Sequence, residues 1–304
     1  MKNTHLEHPE DAILTGDLNV LDWFIEKESH LSCKIDGSPA IVYGTDPETG
    51  TFFCGTKSVF NKRKVMIPHS HEEIDFHYAG KGELADILHA CFDNVPRTDR
   101  IIQADWIGWG GTNYFKPNLI EYVFPFCVSE TIIVSPHTYY ETKTTLREAE
   151  ASSLSEHLTG GDRCFYYQPD CDVSSHRKEL RLNCDFARQM ATLCEFVDKK
   201  KASEIKKYIN SVIMHGKLSL MDDAETAEKL QIDINLIRLW KLVLRIKDEL
   251  FLYIDEPEDV DCYINDEPSF HEGYVMTNRY GMYKLVDRET FSRFNFLQHV
   301  ARQA

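Results

Sequence analysis

Lys34 opens the run Lys34-Ile35-Asp36-Gly37-Ser38-Pro39, with an apolar lead-in at Leu31 to Cys33 and an apolar lead-out at Ala40 to Tyr43. An apolar strand that breaks at a Gly-Ser-Pro turn and re-enters the sheet is predicted to point its lysine into a cleft. Such a lysine suits attack on a phosphorus atom, if it is neutral, pre-positioned and next to a dry cavity where a leaving pyrophosphate is neutralised. Far downstream, Asn278-Arg279-Tyr280-Gly281 reads as a hairpin turn between Gly273 to Thr277 and Met282 to Val286. This places Glu272 and Lys284 on adjacent antiparallel strands, with side chains able to share one cleft. Lys62, Arg63 and Lys64 form the densest basic run in the first half of the chain, a cationic loop of the kind that grips a polynucleotide 5′-phosphate.

The elements that must position these residues change character along the chain. Residues 10 to 30 carry Ile13, Leu14, Leu18, Leu21, Trp23, Phe24 and Ile25 and predict a short packing helix. Residues 31 to 59 then alternate strand and turn as an antiparallel sheet. A helix is predicted over 83 to 94, a strand over Arg100 to Trp106, an aromatic loop over Trp106 to Thr112 and a strand over Val123 to Val134. Residues 137 to 178 read as polar and irregular, with a short strand at Cys164 to Tyr167. Residues 179 to 214 and 222 to 254 carry amphipathic helical patterns, and strands resume after the acidic stretch Glu256 to Asp259. The expected organisation is a first core part over 1–175, a helical insert over 176–254 and a second core part over 255–304.

A chain of 304 residues with 42% hydrophobic and 27% charged residues has ordinary globular composition. Its net charge of -15 excludes a globally basic surface, so any nucleic acid is expected in a local groove. Nine cysteines without a C-x-x-C pair, a polar start at Met1 to Glu10 and no apolar run of membrane-spanning length predict reduced thiols, a cytoplasmic location (host cytoplasm if viral) and no membrane partner. Cys164, Cys171, His176 and Cys184 match no common zinc spacing.

In order, the lysine stretch is followed by Thr56-Lys57-Ser58, Gln103-Ala104-Asp105-Trp106, Val123-Phe124-Pro125-Phe126-Cys127-Val128, Glu272-Gly273-Tyr274-Val275 and Tyr283-Lys284-Leu285-Val286. Together these resemble the covalent nucleotidyltransferase superfamily of ATP-dependent DNA ligases, RNA ligases and mRNA capping enzymes, most of all a phage-type RNA or DNA ligase. The resemblance spans roughly residues 30 to 130 and 262 to 298, and rests on the order of the motifs. It implies an α+β fold with an antiparallel-sheet, ATP-grasp-like ligase core, the helical insert and no C-terminal OB domain. It also implies that Lys34 takes AMP from ATP as a phosphoramidate with Mg2+ or Mn2+ present, and that RNA or DNA strand ends, RNA before DNA, are then sealed, 5′-phosphate to 3′-hydroxyl. Glu272 would bind the metal or orient the amine, and Lys284 would stabilise charge on the α-phosphate. Ile35, Lys57, Asp105 and Phe126 would line the nucleotide site, Asp105 at the ribose and Phe126 stacked on the purine. The chain departs from the family pattern at Ser32, at Asp105 and Cys127, and at Lys284, which stands alone where K-x-K is usual. Two other readings are a non-catalytic nucleic-acid-binding or assembly module on the same fold, and an adenylyltransferase with another acceptor. The oligomeric state is not legible.

The block from 176 to 254 is dense in Arg177, Lys178, Arg181, Lys199 to Lys201, Lys206, Lys207, Arg238, Lys241, Arg245 and Lys247. One basic helix face that holds an acceptor strand is the expectation.

Overall fold

A computed structural model describes residues 6–255 and 259–292. The first half runs α1 (Pro9–Ala12), α2 (Asn19–Trp23), β1 (His30–Lys34), β2 (Ala40–Thr45), β3 (Phe52–Gly55), α3 (His71–His77) and α4 (Glu83–Asn94). Then come β4 (Ile101–Trp109), β5 (Thr112–Phe115), β6 (Glu121–Val128), β7 (Ile132–Glu141), β8 (Glu150–Ser153), β9 (Cys164–Tyr166) and β10 (Asp172–Val173). Four helices follow, α5 (Lys178–Ala191), α6 (Lys199–Met214), α7 (Asp223–Leu230) and α8 (Ile234–Leu250). The chain closes with β11 (Ile254–Asp255), β12 (Asp261–Ile264), β13 (Glu267–Ser269), β14 (Gly273–Asn278) and β15 (Gly281–Leu285). This is a mixed α+β chain of largely antiparallel sheets, with no barrel among the described residues.

Two compact units share the chain. Unit 1 holds Ile35–Pro169 and the described part of Pro257–His271; unit 2 holds Leu6–Lys34, Asp170–Glu256 and Glu272 onward. In unit 1, β3, β2, β4, β7 and β8 form one sheet, with β9 parallel to β7, and β13, β12, β6 and β5 form another. Period-2 alternation explains why both faces of the larger sheet are buried. Ile41 and Tyr43 of β2 pack with Ile74, Tyr78, Ile87, Leu88 and Cys91 from the α3–α4 side, while Val42 between them packs with Phe53, Val59, Ile101 and Tyr140.

Three strand expectations change. The strand expected over Val123 to Val134 is two, β6 and β7, separated by the polar Ser129-Glu130-Thr131 and placed in different sheets. The loop expected at Trp106 to Thr112 is instead the continuation of β4, a tight turn at Gly110-Gly111 and the start of β5. A Cβ on Gly110 would lie 1.7 Å from the Glu130 carbonyl, which is why the turn takes glycine there. Finally, β1 does not share a sheet with β2; it pairs with β14 in unit 2.

That last difference has a local cause. Asp36 is buried, and its carboxylate accepts hydrogen bonds from Asn118 Nδ2 (2.8 Å), Leu119 N (2.7 Å) and Ile120 N (3.0 Å). The chain is thereby pinned into unit 1 immediately after Lys34. Gly37 follows because a Cβ there would come within 2.7 Å of Asp105 Cβ and 2.8 Å of the Trp106 carbonyl. Gly37→Ala is expected to lower the unfolding free energy by about 1–3 kcal/mol through this overpacking, read as a lower urea midpoint. An unchanged midpoint would remove the close-approach explanation.

Unit 2 is built around the antiparallel sheet β1-β14-β15 and the helices α1, α2 and α5 to α8. Asp198, Asp222 and Asp233 cap α6, α7 and α8 by accepting from backbone amides of the first turn. Along α8, Leu236, Trp240, Val243, Ile246 and Leu250 recur at helical spacing and are fully buried. The helices expected as a separate insert therefore belong to the same compact unit as the strands that carry Lys34 and Lys284. The acidic residues 256–258 and the end of the resemblance, 293 to 298, lie outside the described residues. No described helix is long and apolar enough to cross a membrane.

Candidate active site

Three strands of unit 2 assemble the site. Lys34 ends β1 opposite Gly273 of β14, and Ser32, Val275 and Lys284 stand in one row across β1, β14 and β15. In a pleated sheet, residues i and i+2 share a face, so Lys34, two positions from Ser32, faces the same side as Lys284. Gly273 adds no side chain opposite Lys34. Its φ of 143° lies in the region that favours glycine, and a Cβ would stand 2.0 Å from the Leu285 carbonyl. The Glu272-Gly273 pair is thus fixed by backbone geometry as well as by chemistry.

Lys34 Nζ donates to Glu272 Oε2 in a charge-assisted hydrogen bond. The lysine side chain is 31% exposed and the carboxylate 10%, so the amine reaches solvent while its partner is held inside. Lys284 is half-buried, and its backbone amide donates to the Glu7 carbonyl at 3.1 Å. Burial, followed by the charges of Lys34 and Arg288, lowers the Lys284 amine below the usual lysine value; Glu272 and Asp11 only partly oppose this. A shared carboxylate can accept a proton from the amine, and a second cation on the same face can stabilise negative charge on a phosphate.

Beneath the site lies a charged network that sequence reasoning missed. Glu10 Oε1 accepts from Lys247 Nζ at 2.9 Å and from Arg288 Nη1 at 3.1 Å, and Asp11 Oδ1 accepts from Arg288 at 3.0 Å and from Trp240 Nε1 at 3.0 Å. Glu10 and Lys247 are wholly buried. Burial raises the Glu10 carboxyl, but the charges of Lys247, His8 and Arg288 outweigh it and hold the group at about 2. Helical phase was the available signal, since Lys247 falls between Val243, Ile246 and Leu250 on the core stripe of α8.

The basic face expected on the helical block is corrected by the same packing. Lys247 and Arg177 are buried, Arg177 donating to the Phe24 carbonyl at 3.0 Å and to the Glu26 carbonyl. Lys201 pairs with Glu204 at 3.1 Å, Lys206 with Glu7, and Arg238 and Lys241 both with Asp223. These cations neutralise the unit's own acids.

The other candidate residues belong to unit 1. Ile35 is buried, and Asp105, half-buried on β4, has Oδ2 3.5 Å from His137 Nε2. Lys57 is exposed at the start of a single 3-10 turn, next to the hydroxyls of Thr56, Ser58 and Tyr78, which lie 2.9–3.1 Å apart. Phe126 is 50% exposed on β6, its ring 5.8 Å from Phe124 and 5.9 Å from Phe165. Lys62, Arg63 and Lys64 are all exposed. The structure thus gathers Lys34, Glu272 and Lys284 on one sheet of unit 2, and places the remaining candidates on unit 1.

An α+β chain with a lysine, carboxylate and second lysine on one antiparallel sheet is the class that the geometry defines. The chain belongs to the family of unknown function DUF6267, whose profile matches residues 3–233 and 221–299. No curated protein and no solved structure matches it.

Proposed function

We propose that the chain is an ATP-dependent nucleotidyltransferase that forms a covalent lysyl-AMP on Lys34 and passes the AMP to a polynucleotide 5′-phosphate, as an RNA or DNA ligase does. The observation that carries this reading is the convergence of three residues, 34, 272 and 284, that the motif order had singled out. Lys34 and Glu272 are 238 positions apart and directly hydrogen-bonded.

In the proposed first step the Lys34 Nζ lone pair forms a bond to the α-phosphorus, and the bond from that phosphorus to the bridging oxygen breaks, with pyrophosphate leaving with its electron pair. Glu272 orients the amine and takes its proton. Lys284 stabilises the charge that grows on the α-phosphate oxygens. Mg2+ or Mn2+, when bound with the triphosphate, would offset phosphate charge. Among the described residues no group of three or more metal-ligating side chains is present, so Glu272 is the carboxylate proposed to meet the cation or its water shell. Ile35, Lys57, Asp105 and Phe126 keep, as proposals, the nucleotide-lining roles that the resemblance implies, and Lys62, Arg63 and Lys64 the 5′-phosphate contact.

The test is incubation of the purified chain with α-labelled ATP and magnesium, followed by denaturing electrophoresis. A labelled band is expected, and 5′-phosphorylated RNA or DNA should then be adenylated and joined. An unlabelled chain under saturating ATP would instead favour a non-catalytic binding module. Glu272→Ala and Lys284→Ala are each expected to slow adenylation by at least about a hundredfold, the size of loss seen when a group that stabilises transition-state charge is removed. Losses of only a few-fold would leave both residues as packing.

A further inference from the structure

Unit 1 carries a polar constellation that neither the core nor the Lys34 chemistry uses. His71 opens α3 and His89 lies within α4, and their Nδ1 atoms are 2.6 Å apart. The ring centroids are 4.9 Å apart and the planes inclined by 21°, the separation expected of two rings meeting edge to edge. On the far side of each ring, His71 Nε2 meets Asp93 Oδ1 at 2.9 Å and His89 Nε2 meets Asp75 Oδ1 at 2.9 Å.

The carboxylates fix the tautomers. Asp93 and Asp75 are 52% and 70% exposed, and an ionised carboxylate only accepts, so each Nε2 must carry its ring's hydrogen. A neutral imidazole has one N–H, so both Nδ1 atoms present lone pairs, aimed at each other. That arrangement requires a positive centre between them. We propose that His71 and His89 bind a divalent transition-metal ion of the class that takes imidazole nitrogen, Zn2+ foremost.

Three observations support a divalent ion. An imidazole whose other nitrogen donates to a carboxylate is the usual state of a metal-bound histidine, held in the right tautomer and made more basic. Two aspartates balance a charge of +2, whereas a single shared proton leaves one carboxylate uncompensated in a chain of net charge -15. Both rings are partly exposed, His71 at 43% and His89 at 26%, so they can separate to the roughly 3.4 Å that two tetrahedral Zn–N bonds of about 2.0–2.1 Å need. No third protein ligand joins them among the described residues, so water completes the shell and the affinity is modest. The ion would fasten the seven-residue α3 to α4, which back the larger sheet of unit 1.

The test is titration of the chelator-stripped full chain with ZnCl2 by calorimetry, with CoCl2 as a visible-absorbance probe. The chain has 13 histidines and nine cysteines, so the readout is the difference between parent and variants. The expected result is one micromolar-range site in the parent, weakened at least tenfold in His71→Ala and in His89→Ala, and about tenfold in Asp93→Asn and Asp75→Asn. Zinc should also raise the thermal midpoint of the parent and not that of His71→Ala. Zinc uptake equal in the parent and both histidine variants, or no uptake at 0.1 mM zinc, would overturn the proposal and leave a proton as the bridging charge.

Discussion

Lys34→Ala is expected to abolish transfer of label from α-labelled ATP to the protein, with magnesium present, while leaving the fold intact. The nucleophile has no substitute on its face. Lys284 is half-buried and held on β15 opposite Val275, whereas Lys34 alone combines a solvent-reaching amine with a direct bond to Glu272. Covalent catalysis lost with its nucleophile leaves no adduct to detect, so the loss is total rather than graded. Lys34 ends a strand and is 31% exposed, so circular dichroism and the urea midpoint should stay near those of the parent. Peptide mapping of the labelled parent should place AMP on the fragment that contains Lys34. Equal labelling of the variant, or label on a peptide without residue 34, would end the assignment.

The second large effect is on stability. Glu10→Ala is expected to cost about 3–5 kcal/mol at neutral pH, because it leaves Lys247 and Arg288 buried without their shared carboxylate. The sign of its pH dependence follows from the direction of the shift. Glu10 is held at about 2 in the folded chain against 4.5 as a free group, so its contribution is fully present above 4.5 and lost as pH falls toward 2. Urea titrations at pH 7 and pH 3 should therefore show the parent and Glu10→Ala converging at the acid end. A loss below about 1 kcal/mol at pH 7 would mean that the network contributes nothing net, as some buried ion pairs do.

Local signals were legible where local physics decides. The helix over 83–94 and the hairpin that returns from β14 to β15 follow from spacing and from a turn whose residues sit side by side. Lys34, Glu272 and Lys284 were legible as candidates because each carries chemistry within a short motif. Long-range choices were not. Nothing near Leu31 to Cys33 says that β1 pairs with Met276 and its neighbours instead of with β2, and the donors that capture Asp36 are at 118 to 120, invisible from position 36. Arg177 and Lys247 look like surface charge when counted, and become core residues only when helix phase and the distant Glu10 and Phe24 are known.

The ladder between β1 and β14 also sets a timetable. A ribosome that adds about 5–20 residues per second needs tens of seconds to travel from residue 34 to residue 272, and β1 has no partner strand in its sheet until β14 has emerged. For that interval the nascent chain carries an unpaired strand, the kind of edge that other chains can bind. Its lysine also waits without the carboxylate that orients it, so a polypeptide interrupted before Glu272 would hold the nucleophile and lack the means to load it.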